Sequence, residues 1–166
     1  MLTSEIDSYD PDWPIMFEAE AKQIASIFGS RGLSIHHVGS TAVPGLAAKP
    51  EIDILCVVSD AACLESWTKS LSSLNYRRGG DLSPGHYFFK RNKDGVRTHK
   101  IHVCIEGHGS IRRMVGFRDH LRNNPVDRQK YQDLKFELSQ TNRDGIQEYL
   151  SKKAPFIDAM IAGICK

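Results

Sequence analysis

Residues 37–54 read HVGSTAVPGLAAKPEIDI, and the order of strand, loop and strand around this stretch decides the fold. The segment that leads into it, residues 33–38, has the composition of a β-strand. Residues 39–50 are rich in Gly, Pro and small side chains, which predicts a loop without regular structure throughout. Residues 51–58 (EIDILCVV) are acidic at the start and almost wholly apolar afterwards, as expected of a central strand covered on both faces. We therefore expect the loop to open directly onto the core strand of a sheet.

Two acidic residues at the start of that core strand, Glu51 and Asp53, have the chemistry of a metal site. Because side chains alternate along a strand, both project to one face, about 7 Å apart. Carboxylates at that spacing repel each other unless a positive charge lies between them, and Mg²⁺ with oxygen ligands is the usual solution. Gly39 and Ser40 precede the loop, and they could let a triphosphate approach the backbone, with exposed amides and the Ser40 hydroxyl as donors.

The composition of the chain predicts one ordinary globular domain spanning residues 1–166. Of these residues 40% are hydrophobic and 25% are charged, and no repeat or linker is visible. The net charge of +2, from 22 Lys+Arg against 20 Asp+Glu, is too weak to favour nucleic acid or a membrane as a partner. No apolar run approaches the roughly 18 residues that cross a bilayer, and the N-terminus lacks a signal-peptide pattern. Because the four cysteines show no CxxC spacing, we expect a soluble protein of the reducing cytoplasm.

The rest of the sequence predicts helices around a β-hairpin. The predicted elements are a helix at residues 15–28, a helix at 61–74, strands at 86–91 and 96–105, and helices at 111–122, 125–139 and from 144. Asp94-Gly95 is a strong signal for the hairpin turn, and residues 76–85 are expected to form a polar loop. Pro155 should kink or split the last helix. These elements indicate an α/β, or α+β, domain with a small mixed sheet, its helices on one side and at the C-terminal end.

Residues 38–53 resemble the pattern of the nucleotidyltransferase superfamily. They have a hydrophobic residue followed by Gly39 and Ser40, a ten-residue spacer, and then the acid-apolar-acid run from Glu51 to Asp53. Within that superfamily, the whole of residues 37–54 is similar to the GrpB family, also called UPF0157, of predicted nucleotidyltransferases. The resemblance covers nearly the whole chain and includes Tyr9-Asp10-Pro11, Trp13, Phe17, Arg97-Thr98-His99, Ile101-His102-Val103, Phe117-Arg118-Asp119, Leu121-Arg122, Tyr131, Leu134-Lys135, Lys153 and Phe156-Ile157. It implies a nucleotidyltransferase-like small mixed β-sheet flanked by helices, with C-terminal helices.

The resemblance also implies a Mg²⁺-dependent enzyme that moves a nucleotidyl group from a nucleoside triphosphate to an unidentified small acceptor. Asp53 and Glu51 would hold the metal and act in catalysis, with His102 as a general base for the acceptor hydroxyl. Lys49, at the end of the loop, could neutralise phosphate oxygens as a point charge or be an ordinary solvated loop lysine. The full set of expected substrate-binding residues is Gly39, Ser40, Thr41, Lys49, His99, Arg118, Tyr131 and Lys135.

The chain departs from the GrpB pattern at positions that matter for this chemistry. Glu51 stands where the family usually has an apolar residue, and His99-Lys100-Ile101-His102 stands where it often has His-His-Leu-His. Active transferases usually carry a third acid on a later strand, but the face shared by Lys100 and His102 reaches an acid only at Glu106. The alternative hypothesis is therefore a non-catalytic nucleotide- or metabolite-binding module with a degenerate transferase site.

Other residues leave their own alternatives open. His37, His99 and His102 could form a transition-metal site, but their spacing is not a zinc signature, and a hydrogen-bonded strand histidine is the more common case. Arg118 and Arg122 share a helix face that could clamp a phosphate or form a structural ion pair. Tyr131 and Lys135 share a helix face in the same way, and could line the pocket or pack against the core.

Overall fold

The computed structural model describes residues 5–142 and 144–164, which form five helices and five strands. In chain order the elements are α1 (Trp13–Phe28), β1 (Gly32–Val38), β2 (Ile52–Val58), α2 (Leu64–Ser73), β3 (Arg77–Arg78), β4 (His86–Lys93), β5 (Val96–Ile105), α3 (Gly109–Asn123), α4 (Pro125–Thr141) and α5 (Ile146–Ile164). Short 3-10 turns lie at Gly29–Arg31 and Ser40–Ala42. No helix among the described residues is long and apolar enough to cross a membrane.

The strands form one mixed sheet in the order β1-β2-β5-β4-β3. β2 pairs antiparallel with β1 and parallel with β5, and the β4-β5 hairpin is antiparallel. The registers place Val38 opposite Asp53 and Asp53 opposite Lys100. β2 is buried along almost its whole length, as its apolar composition predicts. The prediction of a small mixed sheet flanked by helices is confirmed.

Apolar side chains cover both faces of the sheet, in separate cores. On the first face β2 and β5 pack against α1 and α2, in a core that contains Trp13, Ile24, Phe28, Ile52, Ile54, Cys56, Trp67, Leu71, Ile101 and Val103. On the second face Leu55, Val57 and Cys104 pack against α3. The first of the C-terminal helices, α3, thus covers the apolar side chains on the second face.

A third core connects the loop after β1 to the C-terminal helices. Val43 and Leu46 of the loop pack with Leu121 of α3 and Tyr131 of α4, and partly buried side chains of α5 join them. This packing holds the loop over the second face of the sheet. Asp53, Lys100 and His102 stand on that face, because alternate residues of a strand share a side. The site therefore lies between the sheet, the loop and the C-terminal helices.

Several element boundaries differ from the predicted ones. Two hairpin-turn residues, Asp94 and Gly95, have φ of 52° and 79°, which confirms the predicted turn. The polar loop at residues 76–85 contains the short edge strand β3, which pairs with β4. α5 continues through Pro155 as one helix, so the helix is not split there. The next two side chains, Phe156 and Ile157, pack in the third core, which stabilises the helix at this point. Cys56, Cys63 and Cys104 are free thiols, and Cys165 lies outside the described residues.

Candidate functional site

The chain leaves β1 through Gly39, a position that only glycine can occupy. Its φ of 73° lies in the left-handed region, which costs little for a residue without a side chain. A Cβ atom at this position would lie 2.4 Å from Oδ2 of Asp53, far inside van der Waals contact. The loop can therefore fold back over Asp53 only because residue 39 has no side chain. The turn at Ser40–Ala42 follows directly and brings Ser40 to the same place.

Hydrogen bonds from the sheet fix the first part of the loop. The Thr41 hydroxyl donates to the carbonyl of Glu51 at 3.0 Å, and Nε2 of His37 lies 3.0 Å from Oγ1 of Thr41. Because the Thr41 proton is already used, His37 donates its Nε2 proton to Thr41. Burial lowers the pKa of His37 to about 4, and the nearby charges of Arg122 and Arg118 act in the same direction, so the ring is neutral at pH 7.

Two arginines of α3 hold the backbone of this region instead of lining a pocket. Arg118 donates to the carbonyl of His37 at 3.0 Å and also contacts Asp119 at 2.8 Å. Arg122 donates to the carbonyl of Ala42 at 2.8 Å. Arg118 is therefore not among the residues that line the cavity described below. Its guanidinium holds the end of β1, and its ion pair is with Asp119 of its own helix, not with an acid on the sheet as the structural alternative had it.

The two acidic residues share one face, as predicted, and the positive charge between them belongs to the protein. The Nζ atom of Lys100 lies 2.6 Å from Oε2 of Glu51 and 3.5 Å from Oδ1 of Asp53. Burial alone would lower the pKa of Lys100, but the two carboxylates more than compensate and raise it above the ordinary value. Lys100 is therefore an ammonium ion at neutral pH and neutralises part of the charge of this pair.

This arrangement tests whether Mg²⁺ fits the predicted ligands. Glu51 and Asp53 offer the hard oxygen donors that Mg²⁺ prefers, and their oxygens converge on one point. That point is filled by the Lys100 ammonium, so the metal does not fit while Lys100 keeps this position. Glu106 follows the end of β5 and is exposed, so it supplies no third carboxylate.

A cavity of about 430 Å³ opens beside this ion group. Its polar lining contains Ser40, Thr41, Lys49, Glu51, Asp53, Arg97, Lys100, His102, Lys135 and Lys153. The remaining lining residues include Leu82, Phe88, Ile146, Tyr149 and Leu150. Five cationic side chains thus face two carboxylates, which gives the cavity a local positive charge that the net charge of the whole chain hides.

Unlike Lys100, the other three lysines of the cavity are buried in a way that disfavours their charge. Lys135 is almost fully buried and donates to the carbonyl of Ala47, and burial together with the charge of Lys153 lowers its pKa to about 7. The Nζ atoms of Lys49 and Lys153 lie 5.1 and 5.2 Å from the centre of the Tyr149 ring. Burial lowers the pKa of both.

Arg97 completes the positive wall of the cavity. Among the residues that the structure describes, its Nε is the one buried side-chain nitrogen or oxygen atom without a hydrogen-bond partner. A buried N–H group with no acceptor is costly, so such a group calls for a partner that carries an acceptor oxygen.

Two other predicted site residues lie behind or beside the cavity. Tyr131 is buried and stacks on Phe156, and burial raises its pKa to about 12 although a hydrogen bond with Ser40 acts in the opposite direction. It supports Ser40 instead of lining the cavity. His102 does line the cavity, but burial and the neighbouring His86 lower its pKa to about 3. Burial thus weakens His102 as a base in the free protein, which works against the predicted role of a general base.

His99 lies on the other face of the sheet, away from the cavity. Its ring is 3.1 Å from a guanidinium nitrogen of Arg91, which in turn pairs with Glu20 at 2.6 Å. His99 and Arg91 border a larger cavity of about 1030 Å³ that has neither the Gly-Ser loop nor the carboxylate pair. The prediction that His99 binds substrate is corrected, because residues 99 and 100 of a strand face opposite ways. For the same reason His37, His99 and His102 do not form a transition-metal group, and each ring has a hydrogen-bond partner, which is the more common case named above.

The geometry can now be compared with known proteins. Residues 3–162 match the sequence profile of the family described as GrpB protein. The chain belongs to the GrpB family. A UPF0157 protein of Halalkalibacterium halodurans is 39% identical over 154 residues, which are 92% of this chain and 78% of that protein. A UPF0157 protein of Bacillus subtilis is 32% identical over 92% of this chain, which spans only 45% of that relative.

Solved structures agree with this assignment. The crystal structure of GrpB from Enterococcus faecalis has a TM-score of 0.89 and 32% identity, and the match covers 96% of each chain. A crystal structure of the Cid1 poly(U) polymerase bound to MgATP has a TM-score of 0.56 and 10% identity, over 83% of this chain and 46% of that one. The second likeness concerns the fold alone, and it confirms the predicted nucleotidyltransferase-like architecture.

Within the GrpB fold of this chain, the structure brings together most of the predicted site and adds residues that had no assigned role. Gly39, Ser40, Thr41, Lys49, Glu51, Asp53, His102 and Lys135 surround one region. The additions are Lys100, Arg97, Lys153 and Tyr149. Arg97 and Lys153 belong to segments that carry the family resemblance, and that was the available signal. The position of Lys100 depends on the register of β2 with β5, which no local pattern specifies.

Replacing Gly39 by alanine tests the contact on which the loop depends. Gly39→Ala should lower the free energy of unfolding by about 2–4 kcal/mol, because strained backbone and the clash with Asp53 add. Gly45→Ala is the matched control, since Gly45 also has a positive φ, of 78°, but has open space around it. That control should lose only about 1–2 kcal/mol. Urea unfolding measures the free energy of unfolding of both variants, and equal losses in the two would contradict the proposed contact with Asp53.

Proposed function

We propose that this chain binds a nucleoside triphosphate in the cavity beside the Gly-Ser loop, with the phosphates among the cationic side chains. The proposal depends above all on one observation, the buried Nε of Arg97, which lacks an acceptor in a cavity where cations outnumber carboxylates. Triphosphate oxygens are strong acceptors and carry the complementary charge. The relationship of the fold to nucleotidyltransferases supports the same choice of ligand.

The lysines give a second reason for an anionic ligand. Burial disfavours the charged form of Lys49, Lys135 and Lys153, and a phosphate between them would favour it again. The free protein thus holds an unfavourable concentration of positive charge, which a polyanion would relieve. Glu51 and Asp53 offset only part of this cost, because the pKa of Lys49 and of Lys153 stays lowered although carboxylate charge acts to raise it.

The shape and the remaining lining of the cavity suit the rest of a nucleotide. A volume of about 430 Å³ is within the range of ordinary ligand pockets. Phe88 and Tyr149 offer aromatic surface, and Leu82, Ile146 and Leu150 are exposed apolar side chains at its rim. A nucleobase is flat and apolar on its faces, so we place the base against this side and the phosphates against Arg97 and the lysines.

The position of Lys100 favours nucleotide binding over metal-dependent catalysis at the proposed site. A fixed ammonium at the meeting point of Glu51 and Asp53 supplies the positive charge that a metal would otherwise bring. The chain would then be a nucleotide-binding module with the architecture of a transferase. Its binding should accordingly need no added Mg²⁺.

Calorimetric titration with ATP, GTP, CTP and UTP tests the proposal. We expect at least one triphosphate to bind in the presence of EDTA, and Arg97→Gln to weaken that binding about 10–100-fold, as expected for lost hydrogen bonds to a charged group. Arg112→Gln is the control, because Arg112 is an exposed residue of α3. If no triphosphate binds, or if both variants bind like the wild type, the proposal fails.

The lowered pKa of Lys135 predicts how binding depends on pH. The free protein holds this pKa near 7, and a bound phosphate raises it, so binding takes up a proton above pH 7. Affinity should therefore fall as the pH rises from about 7, where Lys135 loses its charge in the free protein. Calorimetry at pH 8 in buffers of different ionisation enthalpy measures the uptake. Lys135→Met should reduce it, and Lys130→Met, at an exposed position of α4, should not. Equal proton uptake in all three proteins would contradict this role.

A second candidate function is Mg²⁺-dependent nucleotidyl transfer to a small acceptor. It is favoured by the oxygens of Glu51 and Asp53, which already converge on one point. In that case Glu51 and Asp53 would hold the metal and Lys100 would leave its present position. The metal and the ammonium exclude each other there, so the two candidate functions make opposite predictions about Lys100.

Lys100→Met distinguishes the two candidates. Removing the ammonium leaves two uncompensated carboxylates and should lower the free energy of unfolding by about 2–4 kcal/mol. Mg²⁺ should restore part of this loss in the variant, whereas it should not stabilise the wild type. Lys69→Met is the control, since Lys69 pairs with Glu65 at an exposed site. The transferase proposal requires two other results. ATP with Mg²⁺ should stabilise the wild type but not Asp53→Asn, and the wild type should release pyrophosphate when an acceptor is present. Both results together would favour nucleotidyl transfer over binding alone.

A further inference from the structure

A group of nitrogen and sulfur donors lies where the β4-β5 hairpin meets the start of α3. His86 of β4 stands opposite Cys104 of β5, and His108 is the N-cap residue of α3. One donor atom of each, a ring nitrogen of both histidines and the Cys104 sulfur, lie within 4.8 Å of one another. His86 and Cys104 are buried and His108 is half-buried. We call these three residues the His-Cys cluster.

The His-Cys cluster has no part in the proposed nucleotide site, and its residues contact one another as a unit. The rings of His86 and His108 are 5.4 Å apart, edge to face. Burial and the neighbouring His108 lower the pKa of His86, so its imidazole is neutral and keeps a lone pair at pH 7. Burial raises the pKa of Cys104 to about 11, so the free protein carries a thiol that a bound cation would deprotonate.

We propose that the His-Cys cluster binds a zinc ion through two imidazole nitrogens and one thiolate. Neutral imidazole and thiolate are the donors that zinc prefers over the oxygen ligands typical of Mg²⁺. Zinc bonds of about 2.0–2.3 Å in a tetrahedron put the ligand atoms about 3.5 Å apart, so the three residues must close by about 1 Å. Three protein ligands leave the fourth position to solvent.

The chain around His108 permits this closure. His108 lies between Gly107 and Gly109, and apart from the adjoining chain no described atom comes within 4 Å of where a side chain at either glycine would begin. Nδ1 of His108 accepts the amide proton of Ser110 at 3.1 Å, and its Nε2 lies 3.0 Å from the Ser83 hydroxyl. Metal binding gives up at least one of these neutral hydrogen bonds, and a zinc–nitrogen bond is far stronger than either.

The nitrogen that His86 offers is fixed by its neighbour. Nε2 of His86 lies 2.9 Å from Nδ1 of His102, so Nδ1 of His86 is left for the metal. A zinc-bound His86 keeps its Nε2 proton and donates it to His102, in the way that metal-bound histidines usually use their second nitrogen. Zinc at the His-Cys cluster would thereby fix the tautomer of His102, a residue that lines the nucleotide cavity.

The test is a zinc titration of the full chain after treatment with EDTA, in competition with a chromophoric chelator. We expect one ion per chain with a Kd below about 1 μM and the release of about one proton, from the Cys104 thiol. Cobalt in place of zinc should give a thiolate charge-transfer band in the near ultraviolet and the visible bands of a tetrahedral complex.

Two variants and a control decide the assignment. His108→Asn removes the imidazole but keeps an N-cap side chain, so α3 should still form. Cys104→Ala removes the sulfur. Each should weaken zinc binding at least about 100-fold, whereas His120→Gln, at a histidine paired with Asp127, should leave it unchanged. Failure to compete with the chelator, unchanged affinity in both variants, or a cobalt spectrum without the thiolate band would overturn the proposal. If Cys104→Ala does not fold, His108→Asn still gives the answer.

Discussion

Two carboxylates on one strand repel each other, and the ammonium group of Lys100 is what lets Glu51 and Asp53 share a face at the centre of the sheet. The parallel register of β2 with β5 puts that ammonium in place. Further contacts follow in order. Gly39 packs directly on Asp53, so the loop can turn back over the sheet, and the loop carries Ala47 to Lys135 on α4. The position of the C-terminal helices is thus traced back, contact by contact, to one ion group.

The cavity combines features that work against stability when no ligand is present. Lys135 is almost fully buried, and Arg97 keeps a buried N–H group without an acceptor. Structural residues seldom carry such costs, whereas binding sites often do, because the ligand removes them. Arg118 and Arg122 show the contrast. Their guanidinium groups donate to backbone carbonyls of β1 and the loop, so they stabilise the fold in the absence of a ligand.

Local pattern was sufficient for much of the fold. Alternation of side chains put Glu51 and Asp53 on one face, and Asp94-Gly95 gave the hairpin turn. The same alternation separates His99 from His102, but the family resemblance named both, and the structure agrees with the alternation. The role of Lys100 could not be predicted from the sequence, because it depends on how two distant strands align. The burial of His102, which lowers its pKa and so weakens it as a base, likewise depends on packing that no local pattern describes.

Tyr149 lies between Lys49 of the loop and Lys153 one turn further along α5. The C-terminal helix therefore contributes part of the cavity wall, although it packs mainly on α3 and α4. A ligand held by side chains from both α5 and the sheet would act as a bridge between them. Thermodynamic linkage then works in both directions, so whatever loosens α5 weakens ligand binding by the same factor by which the ligand secures α5. A bound ligand would accordingly protect α5 from local unfolding, because opening the helix would break the contacts that the ligand makes with it.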